Sequence, residues 1–545
     1  MNTSRREYIT LLCLTLMAFL VRLVMVHHAD AITGDGVWYA TLGKNLVNGN
    51  IREGLSTYWP PLYPLLIGLS SLVFPDLEFA GRFVSVLAGS LLCVPVYLLT
   101  REFYGRDVAV IGVILVVIYP VFILYSTAVL TESTYMLLLM TGMYVGWRAL
   151  SSARRSASFI TGIVFGACYL VRPEAIGYVG LITVGLILSK LYNRNLPAKD
   201  PFINALTLIL GFLLFSMPYV FFIHHRTGRW MISEKVVATS PTFPGWRKLI
   251  KDKQTTYADI LWANSAPSAA ADPEAMEDAS PRIEATVKPE IKPHTVSDRL
   301  KGLHTHVARV IFMFELLRKA IHPVFILLAA LGLFRTRWDK RRAWQELYLI
   351  LLLVSTISGY GFTSMHEERY LVPVLPIILL WSARGIVEFE GWLSESMQQI
   401  AGSRAVALHN RWALRAIVTA AVSLTLLPSM TSLIRNEVRD PRPVAAWIQK
   451  HTSTPPLIMA TNPSIFFYAG GKHLYLPNEE YPVVIDYARR KKVDFIVIDE
   501  RDIGTSESLR FLLDEQSVHP GLKLVYKSEK APKQKILVFT LSDPT

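Results

Sequence analysis

Long apolar runs limit the fold of this chain more than any other feature of its sequence. Each run is about long enough to cross the ~30 Å hydrocarbon core of a bilayer as a helix. The clearest of them cover residues 9–26, 83–99, 108–124, 135–147 with its apolar lead-in, and 206–223. Hydrophobic residues make up 52% of the chain, which argues against an ordinary soluble enzyme. The sequence therefore predicts a polytopic α-helical membrane protein.

The net charge of +13 does not indicate a nucleic-acid partner. Much of the lysine and arginine lies in short loops between the apolar runs, where it sets the topology of the spans. In the first run, Arg22 interrupts the apolar residues, and no small-residue cleavage site follows before His27 and His28. A signal peptide is therefore a poor interpretation, and we expect this run to stay as a membrane anchor.

Residues 60–74 decide the topology. They are apolar, but they are too few for an ordinary span, and they include Pro60, Pro61 and Pro64. Short length and prolines favour an interfacial or re-entrant helix. With this segment left out and the N-terminus in the cytoplasm, the basic connections fall inside, at 101–106, 148–155, 190–199, 335–342 and 404–415. The acidic connections then fall outside, whereas counting the segment as a span moves the later basic loops to the wrong face.

This topology gives about eleven spans. The predicted spans are 9–27, 82–100, 108–126, 130–148, 157–171, 174–190, 204–223, 320–335, 345–362, 370–388 and 413–433. The expected transmembrane domain is 1–433, with interfacial helices in a first external loop at 27–81 and a large, partly flexible external loop at 224–319. Residues 434–545 are expected to form an external soluble domain.

The C-terminal domain is predicted to be a small α/β domain. Residues 443–451 and 481–491 have helical patterns, and Leu457–Ala460, 493–498 and 536–541 have strand patterns. Alternation of helices and strands is typical of a parallel sheet. No glycine-rich phosphate loop accompanies it.

Two acids on the predicted external face are candidate catalytic residues. Asp35 lies just beyond the first span, between glycines, at the start of a predicted short helix that ends at Asn48-Gly49. It either belongs to a site or is a helix-start carboxylate stabilised by the local dipole. Glu132 lies within a long apolar stretch, where a carboxylate is costly unless it is paired, protonated or facing water, so its function or its pairing with an arginine must explain it. Both acids could share one cavity, as general-base and metal- or acceptor-orienting roles require.

Cations and aromatic residues on the same predicted face complete the candidate site. Arg369 stands at the external mouth of a span and suits bidentate contact with a phosphate, unless it only reaches ordinary lipid headgroups. Other candidates line the cavity or mark the interface: Arg172, Lys235, Trp59, Tyr63, His366 and Glu367. A lone histidine such as His366 is usually not a metal ligand.

The order of these motifs resembles that of a known family. After the acid of the first loop come Pro-Pro-Leu-Tyr-Pro at 60–64, Gly-Arg-Phe at 81–83, Arg-Glu-Phe-Tyr-Gly-Arg at 101–106, Leu-Thr-Glu at 130–132, and Arg-Tyr-Leu with a Pro-Xaa-Leu-Pro tail from 369. Over roughly residues 8–390 the chain resembles the GT-C glycosyltransferases, specifically the protein O-mannosyltransferase and aminoarabinose-transferase-like superfamily of bacteria and archaea.

This resemblance implies a reaction and a set of roles. A dolichyl or undecaprenyl phosphate carrier would donate its sugar outside the cytoplasm, with inversion, to a lipid, glycan or protein acceptor. Asp35 would be the general base, and Glu132 would hold the acceptor or a divalent metal. Arg369, alone or with Arg172 or Lys235, would hold the donor phosphate. The family's usual Asp-Glu pair is Asp35-Gly36 here and its histidine before the prolines is Trp59, so we assign no metal ligand.

Two other classes of function are compatible with a polytopic chain. A flippase or other transporter of lipid-linked sugars would place polar groups near the midplane, often within internal repeats. A non-catalytic scaffold would only display the C-terminal domain. Acids clustered at one face and the lack of a repeat favour a membrane glycosyltransferase in the cell (inner or plasma) membrane, with its site outside.

Overall fold

The computed structural model describes most of the chain. The described residues are 3–32, 34–152, 154–188, 200–235, 311–312, 314–318, 320–361, 368–401, 411–435, 440–477, 479–503, 507–514, 519–529 and 535–542. The chain divides into two compact units. The first comprises Met1–Ala29, Thr57–Phe243 and Arg282–Asn436, and the second comprises Asp30–Ser56, Pro244–Pro281 and Glu437–Thr545. Most of the predicted loop at 224–319 lies outside the described residues.

Helices dominate the described part of the chain. In chain order they are α1 (Thr3–Met25), α2 (Asp35–Val47), α3 (Ile51–Gly54), α4 (Leu62–Ser71), α5 (Leu77–Leu91), α6 (Cys93–Tyr104), α7 (Arg106–Ile118), α8 (Pro120–Thr127), α9 (Glu132–Ser152), α10 (Arg155–Tyr169), α11 (Ala175–Ile187), α12 (Asp200–Thr227), α13 (Pro323–Phe334), α14 (Lys340–Gly361), α15 (Leu375–Ala401), α16 (Arg411–Leu424), α17 (Leu427–Arg435), α18 (Arg442–Lys450), α19 (Ser464–Ala469) and α20 (Tyr481–Arg490). Two short 3₁₀ turns, Glu368–Tyr370 and Val372–Val374, lead into α15.

Several of these helices can cross a membrane. By length and composition, four described helical segments qualify, namely Arg5–His28, Leu77–Tyr104, Asp200–Thr227 and Glu368–Met397. The number rises to six if two bent pairs are each one span: α7 with α8, bent by 54°, and α16 with α17, bent by 48°. The count of eleven stays a prediction. The interfacial segment forms only the ten residues of α4, about 15 Å of helix, which is too short to cross the ~30 Å core.

Small residues allow close helix contacts in the first unit. A Cβ atom at Gly162 of α10 would overlap the carbonyl oxygen of Leu208 in α12. Likewise, a Cβ atom at Gly385 of α15 would overlap the carbonyl oxygen of Leu328 in α13. Within a bilayer, where helices gain little from hydrophobic burial against each other, such close backbone packing supplies much of the attraction.

The buried Arg22 explains why an arginine interrupts the first apolar run. Because Pro120 begins α8 at a bend, the last carbonyl groups of α7 lack helical donors. Arg22 Nη2 donates to the carbonyl oxygen of Val116 at 2.9 Å, and Nη1 donates to that of Val117 at 3.5 Å. Its Nε donates to Ser126 Oγ at 3.2 Å. The guanidinium therefore caps the broken helix that leads to Glu132.

The second unit contains a five-stranded sheet. Its strands are β1 (Leu457–Ala460), β2 (Lys472–Tyr475), β3 (Phe495–Asp499), β4 (Leu522–Glu529) and β5 (Lys535–Leu541), in the order β2-β1-β3-β5-β4. Strands β2, β1 and β3 are parallel, but β5 runs antiparallel to both β3 and β4. The prediction of a parallel sheet is therefore wrong for this half, because the connection from β4 to β5 is too short for a crossover helix.

Both faces of this sheet are covered. Ile496 and Ile498 of β3 pack in one apolar core with residues of α20, whereas Phe495 and Val497 pack in another with residues of α18 and α19. A strand buried on both sides has a continuous apolar sequence. This explains why residues 493–498 are easy to recognise in the sequence.

Candidate functional site

Glu132 and Arg172 form a buried ion pair in the first unit. Glu132 is the first residue of α9, and Arg172 follows α10 in a turn that ends at Pro173-Glu174. Arg172 Nη2 lies 3.1 Å from Glu132 Oε1, and the two side chains are only 6% and 1% exposed. The arginine partner that the sequence offers as one explanation for a carboxylate in this apolar stretch is therefore Arg172. The second carboxylate oxygen, Oε2, is buried without a hydrogen-bond partner among the described residues, so it remains able to accept from a ligand.

Three cationic side chains converge on the ring of Tyr370, which is buried. The guanidinium carbons of Arg369 and Arg172 lie 5.2 Å and 5.3 Å from the ring centroid, and Lys235 Nζ lies 6.0 Å from it. Arg369 Nη2 also donates to the Tyr370 hydroxyl at 3.3 Å. These are the three residues predicted from sequence to hold a phosphate, and the fold brings them together. We call Arg172, Lys235, Arg369 and Tyr370 the cation cluster.

The cation cluster concentrates positive charge around two buried residues, Arg172 and Tyr370, with Lys235 and Arg369 half-buried beside them. Attraction between each cation and the negative face of the tyrosine ring offsets part of the repulsion among the three, and Glu132 neutralises part of the charge of Arg172. Two guanidinium groups and an ammonium group offer the donors that a phosphate accepts best. The arrangement is therefore chemically suited to an anionic phosphate ligand.

A short segment after α12 carries Lys235 to the cluster. The Tyr169 hydroxyl donates to the carbonyl oxygen of Ile232 at 2.6 Å, and the amide of Glu234 donates to that of Thr57 at 3.2 Å. The Thr57 hydroxyl also donates to Glu234 Oε2 at 2.5 Å. Burial raises the pKa of Glu234, and the hydrogen bond from Thr57 partly opposes this rise. Thr57 and Glu234 thus form a two-bond clip that fixes the residue next to Lys235.

Asp35 belongs to the second unit, at the first position of α2 and partly buried. The backbone of Gly34 has a φ of +50°, a region that glycine adopts without strain, and this conformation starts the helix. The helix ends at Val47, followed by Asn48 and by Gly49 at φ +81°, as the sequence predicts. That Asp35 shares a cavity with Glu132 stays a prediction.

Trp59 and Tyr63 lie in the core of the first unit. The hydroxyl groups of Tyr63 and Ser85 are 2.8 Å apart, and Ser85 also donates to the carbonyl oxygen of Leu130 at 3.4 Å. Tyr63 therefore links α4 to α5 and to the residues just before Glu132. Their roles in lining an acceptor site stay predictions. The other two candidates for such a role, His366 and Glu367, lie outside the described residues.

The described residues contain no group of three or more histidine, cysteine, aspartate or glutamate side chains that could hold a metal ion. A divalent metal was a possibility left open by the sequence.

The comparisons with known proteins agree with this architecture. The family model for dolichyl-phosphate-mannose-protein mannosyltransferases matches residues 59–221. The apo oligosaccharyltransferase of Archaeoglobus fulgidus is similar in structure, with a TM-score of 0.58 at 14% identity over 96% of this chain and 80% of that one. ArnT from Cupriavidus metallidurans, bound to undecaprenyl phosphate, is similar with a TM-score of 0.55 at 13% identity over 97% of both chains. The chain has the GT-C glycosyltransferase fold.

The predicted GT-C resemblance is thereby confirmed, and the chain is a multi-pass membrane protein. A comparison with curated proteins gave no match. A further structure, the archaeal oligosaccharyltransferase AglB of Archaeoglobus fulgidus in complex with an inhibitory peptide and a dolichol-phosphate, has a TM-score of 0.50 at 13% identity over 91% of this chain and 69% of that one.

Within this GT-C fold, sequence reasoning missed two residues of the site. Tyr370 directly follows Arg369 in the quoted motif, and its position beside a candidate phosphate ligand was the available signal. Thr57 stands between Ser56 and Tyr58 without any pattern, and its bond to Glu234 spans 177 residues. No local signal predicts such a contact.

Proposed function

We propose that this protein is a membrane glycosyltransferase that moves a sugar from a polyprenyl-phosphate donor to a lipid, glycan or protein acceptor. The observation that carries the proposal is the convergence of Arg172, Lys235 and Arg369 on Tyr370, next to the buried Glu132. The ligands bound in two structural neighbours, undecaprenyl phosphate in ArnT and dolichol-phosphate in AglB, support a polyprenyl phosphate as the anion. We place the site on the outer face of the cell membrane, as the charge topology predicts.

In the proposed reaction, the cation cluster binds the phosphate of the donor. An acceptor hydroxyl or amine attacks the anomeric carbon from the opposite side, while the bond from this carbon to the phosphate oxygen breaks. The configuration inverts, and polyprenyl phosphate leaves with an additional negative charge. Fixed cations that already face the phosphate stabilise this developing charge without reorganising.

The two acids have different parts in this reaction. Asp35 takes the proton of the acceptor as the attack proceeds. A general base needs to lie within hydrogen-bond distance of the proton that it takes. Glu132 keeps Arg172 oriented through its Oε1 and offers Oε2 to an acceptor hydroxyl. A transporter has no need of a base at the sugar, so the pair of acids favours the transferase over a flippase.

The test follows the release of polyprenyl phosphate from a polyprenyl-phosphate sugar by the purified protein. We expect Asp35→Asn to lose turnover by about 10²–10⁴-fold while it still binds donor, because the base is absent but the cation cluster is intact. We expect Arg369→Ala to weaken donor binding by roughly 10–100-fold, the usual cost of a charge-assisted hydrogen bond.

The matched control is Arg490→Ala, which removes an exposed arginine that pairs with Asp486. It should leave both turnover and donor binding unchanged. Full turnover in Asp35→Asn would refute the base assignment. Movement of a labelled lipid-linked sugar across liposomes without consumption of the donor would refute the transferase.

A further inference from the structure

The C-terminal α/β domain contacts the helix that carries Asp35. Both belong to the second unit of the chain. Trp38 of α2 is buried, and its ring lies 5.8 Å from that of Phe466 in α19 and 6.2 Å from that of His473 in β2. Phe466 and His473 are themselves stacked, with ring centroids 5.2 Å apart. Trp38, one helical turn beyond Asp35, therefore packs against two aromatic rings of the domain.

A second contact holds the chain just before α2. The backbone amide of Ile32 donates to the hydroxyl oxygen of Tyr468 at 3.2 Å. The ring of Tyr468 lies 5.2 Å from the guanidinium carbon of Arg442, and its carbonyl oxygen accepts from Gln449 Nε2 at 3.0 Å. Because Arg442 and Gln449 both belong to α18, this helix holds both the ring and the main chain of Tyr468, whose hydroxyl accepts from the amide of Ile32.

These two contacts bracket Asp35 closely. Ile32 lies three residues before it and Trp38 three residues after it, so that residues 32–38 are attached to the domain at both ends. In a helix, residues three apart lie on neighbouring parts of the same face. Displacement of the main chain at Asp35 relative to the domain is therefore opposed by both attachments.

We propose that the C-terminal domain is a positioning element for the Asp35 helix, with Phe466, Tyr468 and His473 as the positioning residues. The inference rests on the proposed function, in which Asp35 is the general base. A base displaced by about 1 Å can lose a factor of about 10² in rate. A domain that instead bound the acceptor would change the acceptor KM and leave kcat unchanged.

Tyr468→Phe tests the proposal, because it removes the acceptor of the Ile32 amide and keeps the ring. We expect kcat to fall by about 2–10-fold, the equivalent of one hydrogen bond, while the donor KM is unchanged. We also expect faster amide exchange over residues 32–40. In the Asp35→Asn background, the same change should have no further effect on the residual rate, because it acts through that carboxylate.

The matched control is Tyr481→Phe, which removes a tyrosine hydroxyl bond of the same domain, the 2.7 Å bond to the carbonyl oxygen of Pro520. It should keep wild-type kcat and wild-type exchange over residues 32–40. Unchanged kcat and exchange in Tyr468→Phe, or an equal loss in Tyr481→Phe, would overturn the proposal. If Asp35→Asn is fully active, the proposed function fails instead, and the exchange data still show whether the domain holds α2.

Discussion

Replacing Glu132 by glutamine separates the structural role of the buried ion pair from its chemical role. The glutamine keeps the shape of the side chain and an oxygen that can accept from Arg172, but it removes the charge. Arg172 then remains buried beside the two other cations of the cation cluster. The substitution should therefore reduce both stability and turnover. Removal of the Arg172 charge as well should restore the stability but not the turnover.

The expected magnitude follows from the distance and the burial of the pair. At 3.1 Å and an effective dielectric constant of about 20, the attraction between the two charges is about 5 kcal/mol. Removal of one partner from a buried pair typically costs about 3–5 kcal/mol, because the other charge is left unmatched. Since glutamine still accepts one hydrogen bond, we expect Glu132→Gln to lower the free energy of unfolding by about 3 kcal/mol. The double variant Glu132→Gln/Arg172→Met should recover most of this loss, to within about 1 kcal/mol of wild type.

Denaturant titration of the chain in detergent measures the stability, and release of polyprenyl phosphate measures the turnover. The control is Asp486→Asn, which removes the carboxylate of an exposed ion pair and should change stability by less than about 0.5 kcal/mol. The double variant should lie within about 1 kcal/mol of wild type in stability and remain inactive. If its stability stays as low as that of Glu132→Gln, Arg172 is not the group that Glu132 stabilises. If it regains activity, neither residue takes part in the chemistry.

Two further outcomes are expected. Thr57→Val breaks the hydroxyl bond to Glu234 and should weaken donor binding by about 2–10-fold by loosening Lys235, whereas Thr57→Ser should not; equal affinities for the two variants would argue against the clip. Burial lowers the pKa of His473 to about 4, so the folded second unit keeps this imidazole neutral while the unfolded chain protonates it below its ordinary pKa of 6.5. The unfolded state therefore binds more protons between these values, and stability should fall by about 3 kcal/mol as the pH drops from 6.5 to 4. Amide exchange of β1 and β2 measures this loss: it should become faster between pH 6.5 and 4 in wild type but not in His473→Gln. The same pH dependence in both proteins would mean that the histidine can be protonated in the folded state.

The sequence predicted those features that depend on local pattern. Apolar runs located the helices, β1 was predicted at its observed bounds, and α2 begins at Asp35 as expected. The family resemblance predicted that Arg369, with Arg172 or Lys235, holds the donor phosphate, and the structure brings the three cations to one ring. The sequence places Tyr370 beside Arg369, but it does not reveal that the distant Arg172 and Lys235 also lie against the tyrosine ring.

The antiparallel half of the C-terminal sheet was missed for a different reason. β4, Leu522–Glu529, carries charged residues between its apolar ones, since it is an edge strand that only one neighbour covers. Its pattern is therefore weak, and its pairing with β5 is not visible without it. The bend between α7 and α8 has a clear cause in Pro120, but an apolar run conceals it because composition does not change there.

Arg22 has a consequence for how this protein is made. Its first span emerges from the ribosome long before the carbonyl group of Val116, which lies 94 residues further along the chain. Until α7 and α8 follow, the arginine has no helix end to cap, and an uncompensated arginine in a span costs up to about 3 kcal/mol. A nascent chain cut before α7 should therefore be extracted from membranes by alkali more easily than one cut after α8. We therefore expect the first helix to insert firmly only after α7 and α8, the bent pair that leads to Glu132, have been made.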